Sequence, residues 1–316
     1  MKPFDRITRL GMLAGLLLCL GVSTGGAADA AYVGTDTCKE CHEEMVTAYA
    51  KSFHGQAKGS DGKSLVDSCE ACHGPGGTHA KDPSRASIVS FGKGSVQAAG
   101  QLSASCLGCH AQSQKLMYWD NSKHKADDVS CSNCHSIHGS VMPKVDQPEV
   151  CFGCHKDVKA DVNKFSHHPI VEGKISCSDC HNPHGTLTKG MIVADSPNLL
   201  CYGCHADKRG PHINQHPPVE EDCLICHAPH GTKAYKLTRE KMPNLCQNCH
   251  GGTHNNGGPG GGAGAAGFWT GANSFDGPGT KSGRVFGQSC INCHPNIHGS
   301  NAPTGTSGRH GQRFER

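Results

Sequence analysis

Hydrophobic residues are concentrated in one N-terminal run and are sparse along the rest of this chain. The run covers residues 10–22, follows three basic residues and leads into small residues, with Ala-Asp-Ala at 28–30. This pattern is typical of an export signal with its cleavage site, so we predict a signal peptide over 1–30 and a mature chain over 31–316. No later stretch approaches 18 apolar residues, so we do not expect the mature chain to cross a lipid bilayer unaided.

Beyond this run, the polar, glycine-rich pattern predicts only short elements. We expect short helices near 40–53 and 152–165, loops at 139–150, 182–198 and 208–220, and minimal β-structure. Hydrophobic residues make up 35% of the 316 residues, aromatic residues make up 5%, and 42 residues are glycine. This composition is too poor in apolar side chains for an ordinary globular core, so something other than polypeptide must supply the packing.

The cysteines follow a single pattern. Twenty of the 21 cysteines form ten copies of C-x-x-C-H, and the remaining Cys19 lies in the predicted signal peptide. We number these motifs 1 to 10 in chain order: 38–42, 69–73, 106–110, 131–135, 151–155, 177–181, 201–205, 223–227, 246–250 and 290–294. C-x-x-C-H is the attachment site of c-type haem, in which two thiols bond to the porphyrin and the histidine becomes the proximal iron ligand. The sequence therefore predicts ten covalently bound c-type haems.

The motif also assigns a role to each of its residues. The cysteines predicted to bind haem covalently are Cys38, Cys41, Cys69, Cys72, Cys106, Cys109, Cys131, Cys134, Cys151, Cys154, Cys177, Cys180, Cys201, Cys204, Cys223, Cys226, Cys246, Cys249, Cys290 and Cys293. The predicted proximal iron ligands are His42, His73, His110, His135, His155, His181, His205, His227, His250 and His294. Three other uses of paired cysteines fit less well. Structural zinc does not require a histidine after every second cysteine, disulfides predict no histidine pattern, and a thioredoxin-like pair needs a βαβ context.

Ten further histidines alternate with the motifs. We call those after odd-numbered motifs linker histidines and those after even-numbered motifs trailing histidines. The linker histidines are His54, His124, His168, His216 and His254, and the trailing histidines are His79, His138, His184, His230 and His298. One such imidazole per haem predicts ten bis-histidine irons, with these residues as the distal ligands. The alternation predicts five dihaem repeats at about 38–79, 106–138, 151–184, 201–230 and 246–298.

Three histidines are left over, namely His167, His212 and His310, and we expect them at the surface. His167 remains an alternative to its neighbour His168 as a ligand. We prefer His168 because a proline follows it, as a proline follows His216.

Most trailing histidines follow their motif too closely to serve its own haem. His184 comes three residues after His181, and the porphyrin disc would separate it from the opposite face of that iron. We therefore expect His184 to ligate a neighbouring haem, and we expect the same of His138, His230 and His298. The glycine after each of them, Gly139, Gly185, Gly231 and Gly299, is predicted to allow a sharp turn next to a ring.

Iron with two imidazole ligands has no vacant position for a substrate. We therefore predict an electron carrier rather than an enzyme. The formal charge of +3 omits the haem propionates, and ten oxidised haems would move it to about −7, which disfavours a nucleic-acid partner. The longest segment without a motif, 251–287, is glycine-rich and contains Phe268, Trp269 and Phe275. A flexible linker and a docking loop both remain open for it.

The motifs and their flanking residues resemble those of a known family. The stretches CSNCHSIHGS, CSDCHNPHGT, CHADKRGP, CLICHAPHG and CINCHPNIHGSNAP are similar to those of the MtrA/DmsE/PioA-type periplasmic decahaem c-type cytochromes, and the resemblance covers essentially the whole mature chain. It implies an elongated multihaem cytochrome c, mostly irregular with short α-helices, that holds ten stacked haems. It also implies a periplasmic location with insertion into an outer-membrane β-barrel porin, the N-terminal haems facing the periplasm.

The same resemblance implies a function and partners. The protein would be a molecular wire that carries electrons between periplasm and cell exterior, for extracellular Fe(III) or mineral reduction or for Fe(II) oxidation. Its partners would be the porin, periplasmic electron-transfer cytochromes and an extracellular multihaem cytochrome. Three alternatives remain: a donor to an extracellular terminal reductase of the dimethyl sulfoxide type, a soluble multihaem reductase with a five-coordinate haem, and a periplasmic electron reservoir without a porin.

Overall fold

A computed structural model of the protein describes most of the predicted mature chain. The described residues are 31–59, 61–62, 64, 67–92, 94–139, 147–250, 289–292 and 294–301. The predicted signal peptide, the 251–287 segment, Cys293, His254 and His310 lie outside these ranges.

Short helices account for the regular structure of the described ranges. The α-helices are α1 (Gly34–Ala50), α2 (Phe53–Gln56), α3 (Glu70–His73), α4 (Gly77–Lys81), α5 (Ala99–His110), α6 (Lys123–Ala126), α7 (Glu149–Phe152), α8 (Lys156–Val162), α9 (Pro197–Tyr202), α10 (Pro217–Glu221) and α11 (Asn244–Gln247). The 3-10 helices are Arg85–Ser87, Gln114–Leu116, Trp119–Asn121, Cys131–Asn133, Cys177–Asp179, Lys189–Met191, Ala206–Lys208, Cys223–Ile225, Tyr235–Leu237 and Cys290–Asn292. Within these ranges, no helix combines the length and the apolar character that a membrane span requires.

The two predicted helices are present with different bounds. The helix predicted at 40–53 begins earlier, as α1 at Gly34, and ends at Ala50, because the Ser52 hydroxyl accepts from the Gly55 N–H and starts α2. The helix predicted at 152–165 is split into α7 and α8. The break comes at His155, whose backbone is non-helical (φ −81°, ψ 70°) at the end of motif 5.

The predicted loops contain more helical structure than expected. Segment 182–198 includes a 3-10 helix at Lys189–Met191 and the start of α9. Segment 208–220 includes most of α10, which begins with two prolines; proline at the first helical positions removes only an N–H that has no helical partner. In segment 139–150, α7 begins at Glu149, and residues 140–146 lie outside the described ranges.

The prediction of minimal β-structure is confirmed for the described residues. They form isolated β-bridges rather than strands, between Lys58 and Ser64, Ser166 and Thr232, His181 and Ile192, Asn214 and Ser300, and His227 and Thr238. Short helices joined by irregular segments, without a sheet in the described ranges, agree with the mostly irregular fold that the sequence predicts.

The apolar core is very small. Five apolar side chains are buried in the described residues, Leu102, Trp119, Phe152, Val162 and Ala234. In place of a core, a continuous cavity of about 4550 Å³ runs past motifs 2 to 10. Cavities for single small ligands measure only about 300–1,000 Å³, so this space fits several large cofactors that would complete the interior.

Candidate haem-binding sites

Each motif forms a compact turn that presents its three reactive side chains. In motif 2 and motifs 4 to 10, the histidine N–H donates to the carbonyl of the first cysteine at 2.8–3.0 Å. Polar residues close some of these turns: the Ser130 N–H donates to the Asn133 side chain, and the Ser176 N–H donates to Asp179. The described cysteines are free thiols, which the attachment chemistry requires.

Nine of the ten predicted proximal histidines face a second imidazole. We call the space between the two rings site n, after the number of the motif. The ring pairs of sites 1 to 9 are His42–His79, His73–His138, His110–His54, His135–His184, His155–His124, His181–His230, His205–His168, His227–His298 and His250–His216. The proximal residue of site 10, His294, is described, whereas His254 is not.

The separation of these rings fits a haem iron. Their centres lie 5.9–6.3 Å apart in all nine pairs. Two metal–nitrogen bonds of about 2.0 Å, each followed by about 1.1 Å from nitrogen to ring centre, would separate two axial imidazoles by about 6 Å. The rings are therefore spaced for one iron between them, and haem bound there would supply a centre that changes between ferric and ferrous states.

The pairing follows a rule that the sequence order alone does not reveal. Each described linker histidine faces the proximal histidine of the next odd-numbered motif, as His124 faces His155. Trailing histidines other than His79 face the proximal histidine of the preceding even-numbered motif, as His184 faces His135. No described trailing histidine faces the histidine of its own motif. This geometry supports the expectation that trailing histidines serve neighbouring haems.

The choice between His167 and His168 has a geometric answer. The His168 ring faces His205 with ring centres 6.3 Å apart. His167 instead contacts Glu172, with Nε2 2.9 Å from Oε1. His167 and His212, which we expect at the surface, are both half-buried, so each keeps only part of its surface open to solvent. His212 packs against Gly299, which holds its Nε2 away from solvent.

The two kinds of site differ in the angle between their imidazole planes. Pairs formed by trailing histidines are near parallel at sites 1, 2, 4 and 8, with angles of 10–14°, and reach 35° at site 6. Pairs formed by linker histidines are rotated, with angles of 75°, 64°, 48° and 27° at sites 3, 5, 7 and 9. The relative rotation of axial imidazoles changes the electronic structure of low-spin iron, so irons in the near-parallel sites 1, 2, 4 and 8 would differ spectroscopically from irons in the strongly rotated sites 3 and 5.

Backbone carbonyls orient many of these rings. The Nδ1 atoms of the proximal His73, His181 and His227 lie 2.6, 2.7 and 3.0 Å from the carbonyl oxygens of Val89, Gly190 and Lys236. The Nδ1 atoms of the linker histidines His124, His168 and His216 lie 2.8, 2.7 and 3.1 Å from the carbonyls of Pro183, Pro229 and Ile297. A carbonyl can only accept, so Nδ1 carries the proton and Nε2 offers its lone pair to a metal.

Some of these carbonyls come from a strained backbone. Lys236 has φ 56° and Met191, next to Gly190, has φ 53°. Left-handed conformations of this kind are costly for residues with a side chain, and they concentrate at functional sites. The sequence does not predict these acceptors, because every residue has a backbone carbonyl and the residue type does not indicate which carbonyl will accept.

Burial favours the neutral form of six imidazoles in these sites, and neutral imidazole is the form that ligates iron. Burial lowers the pKa of His73, His138, His184, His227 and His230, and it lowers the pKa of His298 to about 4. A charged imidazolium loses hydration in such surroundings, so the neutral form is favoured.

Thiols of consecutive motifs are close enough to influence each other electrostatically. Burial and the Cys69 thiol raise the pKa of Cys38. A similar influence between first cysteines relates Cys106 to Cys131, Cys151 to Cys177, Cys201 to Cys223 and Cys246 to Cys290. Between second cysteines it relates Cys72 to Cys109, Cys134 to Cys154, Cys180 to Cys204 and Cys226 to Cys249. The thiols of each motif thus lie near those of the next motif in the chain.

Comparison with known proteins agrees with this geometry. Residues 167–210 and 216–255 match the family described as the doubled CXXCH motif, and residues 69–145 match the NrfB-like cytochrome c-type proteins. The chain is 40% identical over 222 residues to the multiheme cytochrome MtrA of Shewanella baltica (strain OS185). The matched part covers 69% of this chain and 66% of that relative, which is just under two thirds of its length.

The repeated attachment motifs, the facing imidazoles and the similarity to a curated relative lead to one assignment. The chain belongs to the MtrA-type multihaem cytochromes, which bind c-type haem covalently.

Proposed function

We propose that this protein holds ten bis-histidine haems and conducts electrons along them between the periplasm and the cell exterior, inside an outer-membrane porin partner. The observation that carries the proposal is the series of nine facing imidazole pairs, sites 1 to 9, whose ring centres lie 5.9–6.3 Å apart and which link each motif to others along the chain. A cofactor attached to each motif would lie next to the cofactors of the motifs before and after it. Electrons could then pass from one end of the chain to the other without a partner at each step.

The closed axial positions favour conduction over catalysis. In each of sites 1 to 9, two imidazoles flank the space for the iron. Such an iron changes oxidation state without binding a substrate. Carbon monoxide tests this point, because it binds ferrous haem only at a vacant axial position. We expect no spectral change when the reduced protein is exposed to carbon monoxide, whereas substantial binding would indicate a reductase.

The location and the partners are proposed from the relatives. MtrA-type cytochromes are expected in the periplasm at the outer membrane, with an MtrB-type porin around them, with periplasmic cytochromes as exchange partners on the inner side, and with extracellular iron or an extracellular multihaem cytochrome beyond. The Lys and Arg residues, 30 in all, would offset the negative propionates within such an enclosure.

Vesicles provide the test of conduction. The haem-loaded protein would be co-expressed with an MtrB-type porin, and the complex would be inserted into lipid vesicles that contain reduced methyl viologen. After addition of Fe(III) citrate outside, we expect the enclosed dye to be oxidised at least tenfold faster than in vesicles with porin alone or with the cytochrome alone. Equal rates in all three preparations would contradict the proposed transmembrane function.

A further inference from the structure

Three short turns each contact two consecutive sites at once. We call residues 182–185, 228–231 and 295–299 the trailing turns, because each ends with a trailing histidine and its glycine. In the first trailing turn, the ring of His184 faces His135 in site 4. The carbonyl of the preceding residue, Pro183, accepts from Nδ1 of His124, which faces His155 in site 5. One peptide segment therefore contacts an imidazole of site 4 and an imidazole of site 5.

The second and third trailing turns repeat this arrangement. His230 faces His181 in site 6, while the Pro229 carbonyl accepts from Nδ1 of His168 in site 7 at 2.7 Å. His298 faces His227 in site 8, while the Ile297 carbonyl accepts from Nδ1 of His216 in site 9 at 3.1 Å. The same arrangement occurs at three places, so it is a regular feature of the fold rather than an isolated contact.

Backbone contacts hold the second and third trailing turns against the linker that precedes the linker histidine. Ser166, two residues before His168, exchanges both backbone hydrogen bonds with Thr232, at 3.1 and 2.8 Å. Asn214, two residues before His216, does the same with Ser300, at 2.9 and 3.0 Å. These bridges fix the register between each turn and the ring that its carbonyl orients.

Glycine permits the close approach of all three turns. Gly185 has φ 109°, and a Cβ there would lie 2.4 Å from the carbonyl oxygen of Tyr118. A Cβ at Gly231 would lie 1.9 Å from the carbonyl oxygen of Asp161, and one at Gly299 would lie 2.3 Å from the ring of His212. Gly139 differs, because its φ is not left-handed and a Cβ there would meet nothing within 4 Å. The predicted role of these glycines thus holds for Gly185, Gly231 and Gly299, although their close neighbours are the preceding linkers.

We propose that each trailing turn is a positioning element that sets the axial ligands of two successive haems together, pairing sites 4 and 5, 6 and 7, and 8 and 9. It places its own histidine in the even-numbered site. Through its carbonyl it fixes the rotation and the donor strength of the linker imidazole in the odd-numbered site, since a hydrogen bond at Nδ1 makes Nε2 a stronger ligand. This inference rests on the proposed haem occupancy of the sites, and it adds that ligation is coupled across the boundaries between dihaem repeats.

Electron paramagnetic resonance of the fully oxidised, haem-loaded protein can separate the two effects. Near-parallel imidazoles give rhombic low-spin signals, and strongly rotated imidazoles give signals with one large g value. Site 4 belongs to the first class with 14°, and site 5 belongs to the second class with 64°, which it shares with site 3 at 75°. Loss of the site 5 geometry would therefore reduce the large-g intensity.

Three variants form the test. Gly185→Ala should displace the turn and alter both classes, with a clear decrease of the large-g signal as well as of the rhombic signal of site 4. His184→Ala keeps the turn and should convert only site 4 to high spin, with the large-g signal intact. Gly139→Ala is the control. Gly139 also follows a trailing histidine, but the added methyl group would meet nothing within 4 Å, so the spectrum of this variant should match that of the parent. Loss of only a rhombic signal in Gly185→Ala would overturn the proposal.

A second variant covers the case in which Gly185→Ala does not fold. Gly299→Ala meets the side chain of His212 rather than a carbonyl oxygen, and it should perturb sites 8 and 9 together. Their potentials should shift in pairs in a spectroscopic redox titration, and a shift confined to one haem would overturn the proposal. If the trailing turns do not couple the sites, the variants lack the paired spectral changes while the parent still conducts electrons in vesicles. If the proposed function is wrong, the paired spectral changes still occur but the parent does not conduct.

Discussion

The N-terminal end of the described chain and its interior obtain their second imidazoles in different ways. At the end, His79 follows His73 by six residues and faces His42 within the same dihaem repeat. In the interior, His184 and His230 follow their own motifs by three residues and face histidines of the preceding repeat. The spacing after an even-numbered motif thus distinguishes an end from a repeating unit.

The difference has a simple cause. In an interior repeat, the linker histidine faces a motif of the following repeat and the trailing histidine faces a motif of the preceding repeat. No described repeat precedes the first one, so its trailing histidine faces a motif of the same repeat. Helix α4 carries His79 away from motif 2, and Nδ1 of His79 lies 3.0 Å from the Ser84 carbonyl and 3.2 Å from the Ser87 hydroxyl. The repeats are therefore units of sequence, whereas the pairing of imidazoles runs across them.

Removal of the first repeat should break this arrangement with the largest effect. A chain with residues 1–30 joined to Ala98 lacks His54, the partner of His110 in site 3. Because site 3 then has a single imidazole, we expect one high-spin, carbon monoxide-binding haem among the eight that remain. Carbon monoxide difference spectra of the reduced protein would count it.

The design needs one addition, because the truncation also releases His138 from His73. A His138→Ala substitution in the truncated chain prevents the released imidazole from occupying site 3. Eight low-spin haems that do not bind carbon monoxide in this doubly altered chain would show that the repeats are closed units and would contradict the pairing.

A smaller effect on stability is expected at Glu70, which lies between the two cysteines of motif 2. Its carboxylate is buried, and no other described motif has a buried carboxylate. It accepts from the N–H groups of Val33, Gly34 and Gly76 at 2.7–3.0 Å, and so fixes the start of α1. Burial by itself would raise the pKa of Glu70, but these three donors lower it below its usual value. Glu70→Gln should reduce the free energy of unfolding by about 1–3 kcal/mol at pH 7, measured by chemical denaturation.

The pH dependence has a defined sign. Since the pKa of Glu70 is lowered by folding, its stabilisation is present above the ordinary glutamate pKa and is lost as the pH falls through the lowered value. The difference between parent and Glu70→Gln should therefore shrink in acid. Glu43→Gln, at an exposed position of α1, serves as the control and should change stability by less than about 0.5 kcal/mol. Equal effects of the two substitutions would remove the special role of Glu70.

The smallest expected effect lies in the interior. There, Lys236 presents its carbonyl to His227 from a left-handed conformation (φ 56°), whereas Val89, which does the same for His73 at the N-terminal end, has no such strain. Lys236→Gly should relieve this strain and stabilise the protein by about 1 kcal/mol without a change in the haem spectrum. Lys233→Gly, outside the left-handed region, should be neutral or destabilising. A lower free energy of unfolding for Lys236→Gly than for the parent would show that the backbone at Lys236 is not strained.

The sequence predicts the chemistry well and the connections poorly. Regular C-x-x-C-H spacing and the alternation of histidines indicate the number and kind of sites. The short separation of His181 and His184 in the sequence predicts that they do not face each other, and in the structure each faces a different histidine. The partner of each histidine could not be predicted, because His168 and His205 or His227 and His298 are far apart in the chain and meet only through folding. Helix bounds failed where a motif interrupts the helix, as at His155.

The most direct measurement is an iron anomalous difference map from crystals of the haem-loaded protein. The account predicts an iron peak midway between the rings of each of the nine pairs, including one between His135 and His184 and one between His181 and His230. An iron bound by His181 and His184 together, or a ring pair without iron in the fully loaded protein, would contradict it.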